Sequence, residues 1–173
     1  YGMFAHWVNK HVTVPSLDEE PFLIVFGDID MHPMISSKVI NHYLGEDVGK
    51  DKNALEEWQE VTRKWNTWFL RRPNGKKGDK VDKQWGEAIG AQKVFHIQDE
   101  QRAVDYAMGL IARSWGHFPD FQDNMRARQP EDKVDEISKP IEMICPRCGG
   151  PIPVDAKTKE LFSCKYCGMT LHI

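Results

Sequence analysis

The sequence predicts an α+β protein that is mainly helical in its N-terminal and central region, with an extended N-terminal arm and a small C-terminal β zinc ribbon. Two observations carry this prediction: two segments place apolar residues at helical spacing, and two C-x-x-C-G units stand near the end. The 173 residues suit one core with small appendages. We divide the chain into an arm (1–20), a mainly helical region (21–117), an extended linker (118–141) and a zinc ribbon (142–173).

Composition excludes some classes of function. The net charge is −3, whereas a general nucleic-acid binder is usually more basic, so nucleic acid is disfavoured as a partner. The longest apolar run, FLIVF, is far shorter than the ~20 residues of a membrane-spanning helix, so the sequence predicts no transmembrane helix of its own. All four cysteines fall in the last 29 residues, which favours a metal and a reducing compartment over a disulfide scaffold.

The N-terminal part is predicted as an arm, a strand and a helix. Residues 1–20 show no sustained period, so we expect an extended arm with apolar anchors. Pro21 opens PFLIVFGDID, a continuous apolar run ending at glycine that is typical of a buried strand. A helix is then expected between Pro33 and Gly45. The anchors of the arm are Phe4, Trp7 and Val8.

The segment 53–72 is predicted as a long helix. Its acidic residues Glu56 and Glu57 stand at the start and Arg71 and Arg72 at the end, which suits the helix dipole. Three tryptophans share the apolar face, which is typical of a core or of a surface that meets a partner, since tryptophan is prominent in binding hot spots. The residues of this face are Leu55, Trp58, Val61, Trp65, Trp68 and Phe69.

A second helix is predicted after a charged loop. The sequence KKGDKVDK, residues 76–83, reads as a solvated loop, with phosphate contact as the alternative. Asp99 is placed to cap a helix that runs to Trp115, and Gly116 is placed to end it. Residues 118–141 are polar, contain prolines and lack a period, so they predict the extended linker.

The clearest motif is the pair of C-x-x-C-G knuckles. Fifteen residues separate the two knuckles, and this spacing suits a ribbon in which four thiolates hold one tetrahedral zinc ion. Because protein ligands fill all four positions, the zinc is expected to be structural, and its binding energy stabilises the fold. The predicted metal ligands are Cys145, Cys148, Cys164 and Cys167. His172 is expected to lie on the surface.

Other metal chemistries have weaker support. Iron in a rubredoxin-like site is the rival to zinc, but the Glu-x-x-His motifs of an accompanying diiron bundle are absent from the sequence. Asp28 and Asp30 form a D-x-D after the first strand, which suggests magnesium-dependent phosphotransfer. No strand–helix alternation was evident around them, and the simpler interpretation is a strand-end turn and helix cap. The sequence predicts no catalytic residue, and its remaining histidines form no spaced cluster: His6, His11, His42, His96 and His117.

The tail resembles the zinc-bearing accessory subunits of mitochondrial respiratory complexes. In cytochrome c oxidase subunit Vb, a helix and an extended linker lead into a C-terminal zinc ribbon, as the helix opened by Asp99, the linker and Cys164–Gly168 do here. The small zinc subunit of complex I is also similar, with a proline near the start of a strand, a Lys-Thr turn and a C-x-Y-C-G knuckle. In that comparison Cys148 stands where the family has a histidine. The resemblance covers about 30 residues firmly.

The resemblance implies a non-catalytic subunit, peripheral on the matrix side of the inner mitochondrial membrane. Its partners would be the other subunits of a large membrane complex, and cytochrome c oxidase is favoured over complex I. The alternative is a nucleic-acid-associated zinc ribbon from a ribosome or a transcription assembly, because ribbons are common there and the tail has a weak basic bias. A metal-dependent phosphohydrolase centred on Asp28 and Asp30 is the third possibility.

Overall fold

The computed structural model divides the chain into two compact units, Tyr1–Gln98 and Asp99–Ile173. Its described part contains seven α-helices, a small parallel sheet and two-stranded antiparallel pairs, so the predicted combination of helices and strands is confirmed as a mixed α/β fold. Within this part, no helix is long and apolar enough to cross a membrane. The structure describes residues 1–14, 19–72, 78–138, 143–144, 151–152, 161–163 and 168–172.

The first unit is built around a three-stranded parallel sheet. Its helices are α1 (Gly2–His11), α2 (Ser37–Leu44), α3 (Ala54–Thr62) and α4 (Gly78–Ile89), and its strands are β1 (Phe22–Gly27), β2 (Met34–Ile35), β3 (Lys52–Asn53), β4 (Asn66–Arg71) and β5 (Val94–His96). The strands β1, β4 and β5 are neighbours in that order and run parallel, while β2 and β3 form a short antiparallel pair. Each crossover between parallel strands therefore carries a helix.

One row of the sheet faces the helices and holds the core. Val25, Phe69 and Val94 are paired across the three strands, so their side chains share one face of the sheet. Phe69 stacks on Trp85 of α4, which in turn meets Trp58 of α3 edge-on. Both tryptophans are fully buried. The parallel sheet thus buries this face under α3 and α4.

The predicted helix over 53–72 is wrong in its second half. The helix α3 ends at Thr62, and the chain then turns and enters β4. Every residue of β4 is buried, as expected for a central strand covered on both faces. A continuous apolar run is compatible both with the spacing of a helix and with a buried strand. Trp65, Trp68 and Phe69 therefore fit the helical period of α3 although they lie beyond its end.

Two further segments of the first unit differ from the sequence-based expectation. The expected extended arm contains α1, whose Ala5 and Val8 are buried while Phe4 and Trp7 remain partly exposed. Most of the expected charged loop at 76–83 belongs to α4, whose Val81 and Trp85 share a buried side. In both segments, a few widely spaced apolar residues suffice to form one helical face.

Two predictions in the first unit are confirmed. The apolar run after Pro21 forms β1. The helix expected between Pro33 and Gly45 is α2, and Gly45 closes it with φ of 68°, a left-handed conformation that glycine adopts without steric cost.

The second unit is helical before the tail. Its elements are α5 (Ala103–Ser114), α6 (Phe118–Arg126), α7 (Glu131–Ser138), β6 (Met143–Ile144), β7 (Pro151–Ile152), β8 (Leu161–Ser163) and β9 (Thr170–His172). The predicted second helix is confirmed as α5, and Gly116 follows it with φ of 76°. Asp99 caps the 3₁₀ turn Glu100–Arg102 that leads into α5, where it accepts a hydrogen bond from the Gln101 backbone at 3.0 Å. The expected extended linker at 118–141 is wrong for 118–138, because α6 and α7 occupy that stretch.

The tail pairs its described strands as β6 with β7 and β8 with β9, both antiparallel. The four cysteines predicted as zinc ligands lie outside the described residues. The zinc ribbon over 142–173 therefore stays a prediction.

Candidate functional site at the carboxyl edge of the sheet

The three parallel strands end together at Gly27, Arg71 and His96, which are paired across the sheet. Ligands of open α/β sheets bind outside the carboxyl ends of the strands, so this edge is the first place to look for a site. The D-x-D residues Asp28 and Asp30 follow β1 directly and lie at the same edge.

Arg71 is the most unusual side chain of this edge. It is 1% exposed, and its Nη1 donates a 2.7 Å hydrogen bond to Asp82 on α4. Its Nε and Nη2 are also buried but have no hydrogen-bond partner in the structure as described. The same Asp82 oxygen lies 3.1 Å from Nε2 of His96. A buried guanidinium thus has one side paired and one side unsatisfied.

The loop after β1 is fastened to α4. The Gln84 side chain accepts from the Met31 backbone N–H and donates to the Met31 carbonyl, both at 2.8 Å. The indole N–H of Trp85 donates to the Ile29 carbonyl at 3.2 Å. Lys80 forms an ion pair with Asp30. These contacts hold the D-x-D residues in place beside the charged end of α4.

Tyr1 closes the edge beside Gly27. Its hydroxyl occupies the space that a Cβ at Gly27 would fill, and its ring meets Trp85 edge-on at 5.1 Å. Burial, with the Asp28 charge as a smaller contribution, raises the pKa of Tyr1 above its usual value. The phenol is therefore protonated at neutral pH and keeps a hydrogen to donate.

The geometry favours anion binding over metal binding at this edge. Asp30 is engaged by Lys80, and Asp82 is shared by Arg71 and His96. Among the residues that the structure describes, no group of three histidine, cysteine or acidic side chains could hold a metal ion. The sequence-predicted Asp30 thus pairs with a lysine, and Asp28 lies close enough to Tyr1 for its charge to raise the pKa of that phenol.

A second polar cluster lies between α1, α3 and the loop after α2. The ring of His6 is 1% exposed and lies between two carboxylates, with Nδ1 3.1 Å from Glu57 and Nε2 3.0 Å from Glu46. His11 approaches the other oxygen of Glu46 at 3.0 Å. Hydrogen bonds from His6 and, secondarily, His11 hold the pKa of Glu46 below its usual value. No local pattern in the sequence predicts that His6 and His11 meet the same glutamate.

The second unit carries a groove of about 410 Å³ between α5 and α6. Its apolar part is formed by Met108, Ile111, Ala112, Trp115 and Phe121, and Arg128 and three other polar residues complete it. Arg113 lies over the ring of Phe118 beside this region, at 3.5 Å. The volume falls in the range of small-molecule and peptide pockets.

Sequence reasoning missed the residues that define the sheet edge, namely Arg71, Asp82 and His96. One signal was present: WFLRR is an apolar run that ends abruptly in arginine, as strands do when their last residue reaches a polar edge. In the predicted helix over 53–72, Arg71 stands at the C-terminal end, where its charge is explained by the helix dipole. Its neighbours in space come from two other elements, which no local pattern connects.

Comparison with protein-family models, with curated proteins and with solved structures found no match to this chain.

Proposed function

We propose that the protein is a non-catalytic subunit that docks onto partner chains of a larger assembly. The observation that carries the proposal is an exposed aromatic pair on α1. Phe4 and Trp7 are 43% and 40% exposed, and their rings stack with centroids 6.2 Å apart. Exposed aromatic pairs of this kind are typical of binding hot spots, where tryptophan and tyrosine are enriched.

This aromatic pair rests on the core of the first unit. Phe4 lies 6.2 Å from the ring of Trp58, which is fully buried. A partner would therefore meet side chains that are already held in place, which lowers the entropy cost of association. The second unit has its own exposed apolar residues on α5, with Val104 and Met108 one helical turn apart.

The test is affinity purification of the tagged chain from native membranes, with identification of the co-purifying proteins. The double variant Phe4→Ala/Trp7→Ala should lose its partners and remain folded. Tyr43→Ala on α2, which removes another exposed aromatic ring, should keep them. Unchanged partners in the double variant, or a chain that purifies alone as a stable monomer, would contradict the proposal.

We further propose that the larger assembly is a mitochondrial respiratory complex. The resemblance of the tail supports a respiratory complex, with cytochrome c oxidase favoured and the protein peripheral on the matrix side of the inner mitochondrial membrane. Co-purification with oxidase subunits would support this assignment, and complex I subunits would favour the second family. Binding to RNA or DNA that falls steeply with salt would instead favour the nucleic-acid alternative.

A phosphohydrolase is the second candidate because of one observation. The strand–helix alternation that the sequence did not reveal is present, and it brings Asp28 and Asp30 to the carboxyl edge of the parallel sheet. The test is magnesium-dependent hydrolysis of a phosphate ester such as p-nitrophenyl phosphate. Activity that disappears in Asp28→Asn would support this candidate, and inactivity of the intact chain would remove it.

A further inference from the structure

We propose that Arg71 anchors a binding site for a carboxylate-bearing ligand at the carboxyl edge of the parallel sheet. This goes beyond the docking function, because it assigns a specific ligand chemistry to a place in the first unit. The inference rests on the two unsatisfied nitrogens of Arg71, on its neighbours in the sheet and on the charges around it.

The two unsatisfied nitrogens of Arg71, Nε and Nη2, form a planar pair of hydrogen-bond donors, which we call the fork. In a planar guanidinium, the Nε–H and one Nη2–H point the same way and are spaced to meet two oxygens of one carboxylate. Asp82 takes the Nη1 side, so it leaves this fork unused. Both nitrogens are buried with no partner in the part of the chain that the structure describes. Native proteins rarely leave buried donors unpaired, so two such donors on one guanidinium call for an explanation, and a bound anion is one that fits their geometry.

The neighbours of Arg71 suit an oxyanion. Gly27 and His96 flank it in the same row of the sheet, so their side-chain positions lie on the same face. The Gly27 position holds the Tyr1 hydroxyl, which carries a hydrogen at neutral pH. His96 is exposed, so this row of the sheet meets solvent at β5, and a ligand would approach Arg71 from that side. The Tyr1 hydroxyl thus offers a hydrogen-bond donor on one side of the fork, and the imidazole of His96 lies on the other.

The charge balance distinguishes a carboxylate from a phosphate. Arg72 follows Arg71 at this edge, where its backbone N–H donates to the Gly27 carbonyl at 3.0 Å. Arg71, Arg72 and Lys80 are the cations of the edge, and Asp28, Asp30 and Asp82 are its anions. These charges cancel, so the described residues of this edge offer no excess positive charge for a dianion. A phosphate monoester would also bring a second negative charge close to the carboxylates of this edge, which repel it. A carboxylate carries one negative charge, and its two coplanar oxygens match the spacing of the Arg71 fork.

The experiment titrates sodium acetate into the intact chain at constant ionic strength. The readouts are the ¹H–¹⁵N cross-peak of the Arg71 Nε–H and the midpoint of thermal unfolding. Acetate should shift the cross-peak saturably and raise the midpoint, while chloride should do neither. Arg71→Lys keeps the charge but loses the fork, and should weaken acetate binding by about tenfold or more. Arg63→Lys, at an exposed arginine on the surface, is the matched control and should bind normally.

For a second variant we expect tighter acetate binding, a change that loss of folding cannot produce. Asp82→Asn removes the anion nearest to Arg71, so acetate should bind several-fold more tightly and raise the unfolding midpoint further than in the parent chain. Equal acetate responses in the parent and Asp82→Asn would overturn the proposal. So would a response to inorganic phosphate without one to acetate, or an Arg71 cross-peak that no anion moves.

Discussion

Phe69 on β4 and Trp85 on α4 stack face to face, with ring centroids 4.1 Å apart and planes only 9° from parallel. Trp85 also meets Trp58 at 5.0 Å and Tyr1 at 5.1 Å, both edge-on. One indole therefore contacts the sheet, α3 and the start of the chain. Offset-stacked and edge-on aromatic pairs contribute beyond their buried area, so the core of the first unit depends strongly on this residue.

Replacing Trp85 by alanine should destabilise the first unit by about 3–5 kcal/mol, because the change leaves a cavity between β4 and α3. Guanidinium unfolding, followed by circular dichroism, measures the loss as a lower midpoint at an unchanged slope. Tyr43→Ala removes a ring that is 69% exposed and should change the free energy of unfolding by no more than about 0.5 kcal/mol. A cost for Trp85→Ala as small as that of Tyr43→Ala would show that the stack does not organise the core.

The sequence predicts an element correctly where its local pattern is compatible with only one kind of secondary structure. The strand β1 and the helices α2 and α5 have clear boundaries, with a glycine of positive φ at or just after the end of each helix. The strand β4 lacked such a mark, because its run of buried residues continues the apolar spacing of α3 across a short turn. The parallel sheet depends on pairing β4 with two distant strands, and nothing local in the sequence encodes that pairing.

The same limit applies to the candidate site. Asp28 and Asp30 form a recognisable local pattern because they stand together after a strand. Arg71, Asp82 and His96 come from β4, α4 and β5, and they meet only because β4 pairs with β5 and α4 packs beside them. The sequence contains the residue types but not their proximity, so an arginine with two unsatisfied nitrogens can be recognised only once its burial is known.

The stability of the first unit should fall on acidification through Glu46. His6 and His11 hold the pKa of this carboxylate below its usual value, so the folded state favours the ionised form. The resulting stability is fully present above the usual glutamate pKa of about 4.3 and is lost as the pH falls through the lower pKa of the folded state. The free energy of unfolding, measured at steps between about pH 6 and pH 3, should show this acid limb.

The variant Glu46→Gln should flatten this acid limb, because it removes the titrating group. Glu56→Gln, at an exposed carboxylate in the first turn of α3, is the matched control and should retain the limb. An acid limb of equal slope in Glu46→Gln and the parent chain would assign the pH dependence to other groups.

The tail should contain one zinc ion per chain. Elemental analysis of the purified protein should give a stoichiometry near one, and Cys164→Ser should lower it strongly, because a structural site requires all four thiolates. Ser163→Ala, next to this cysteine on β8, should leave the zinc content unchanged. Iron in place of zinc, or a metal-free chain that keeps the same tail structure, would contradict the assignment.

Gly27 should resist substitution because of Tyr1. A Cβ at this position would overlap the Tyr1 hydroxyl and approach Cε2 of Phe69 to 3.1 Å, so the tyrosine ring must leave its place against Trp85. We expect Gly27→Ala to cost about 1–3 kcal/mol, the usual range for overpacking. Gly49→Ala is the matched control, since an added Cβ there meets no atom within 4 Å.

A double variant separates this clash from a general preference for glycine at the end of β1. Tyr1→Phe deletes the overlapping oxygen, so Gly27→Ala should cost less in that background than in the parent chain. The remaining cost reflects Cζ of Tyr1 and Cε2 of Phe69, which stay close to the new methyl group. Chemical unfolding of the four proteins of this cycle measures the coupling. A coupling energy near zero would mean that the Tyr1 hydroxyl does not occupy the space above Gly27 in solution.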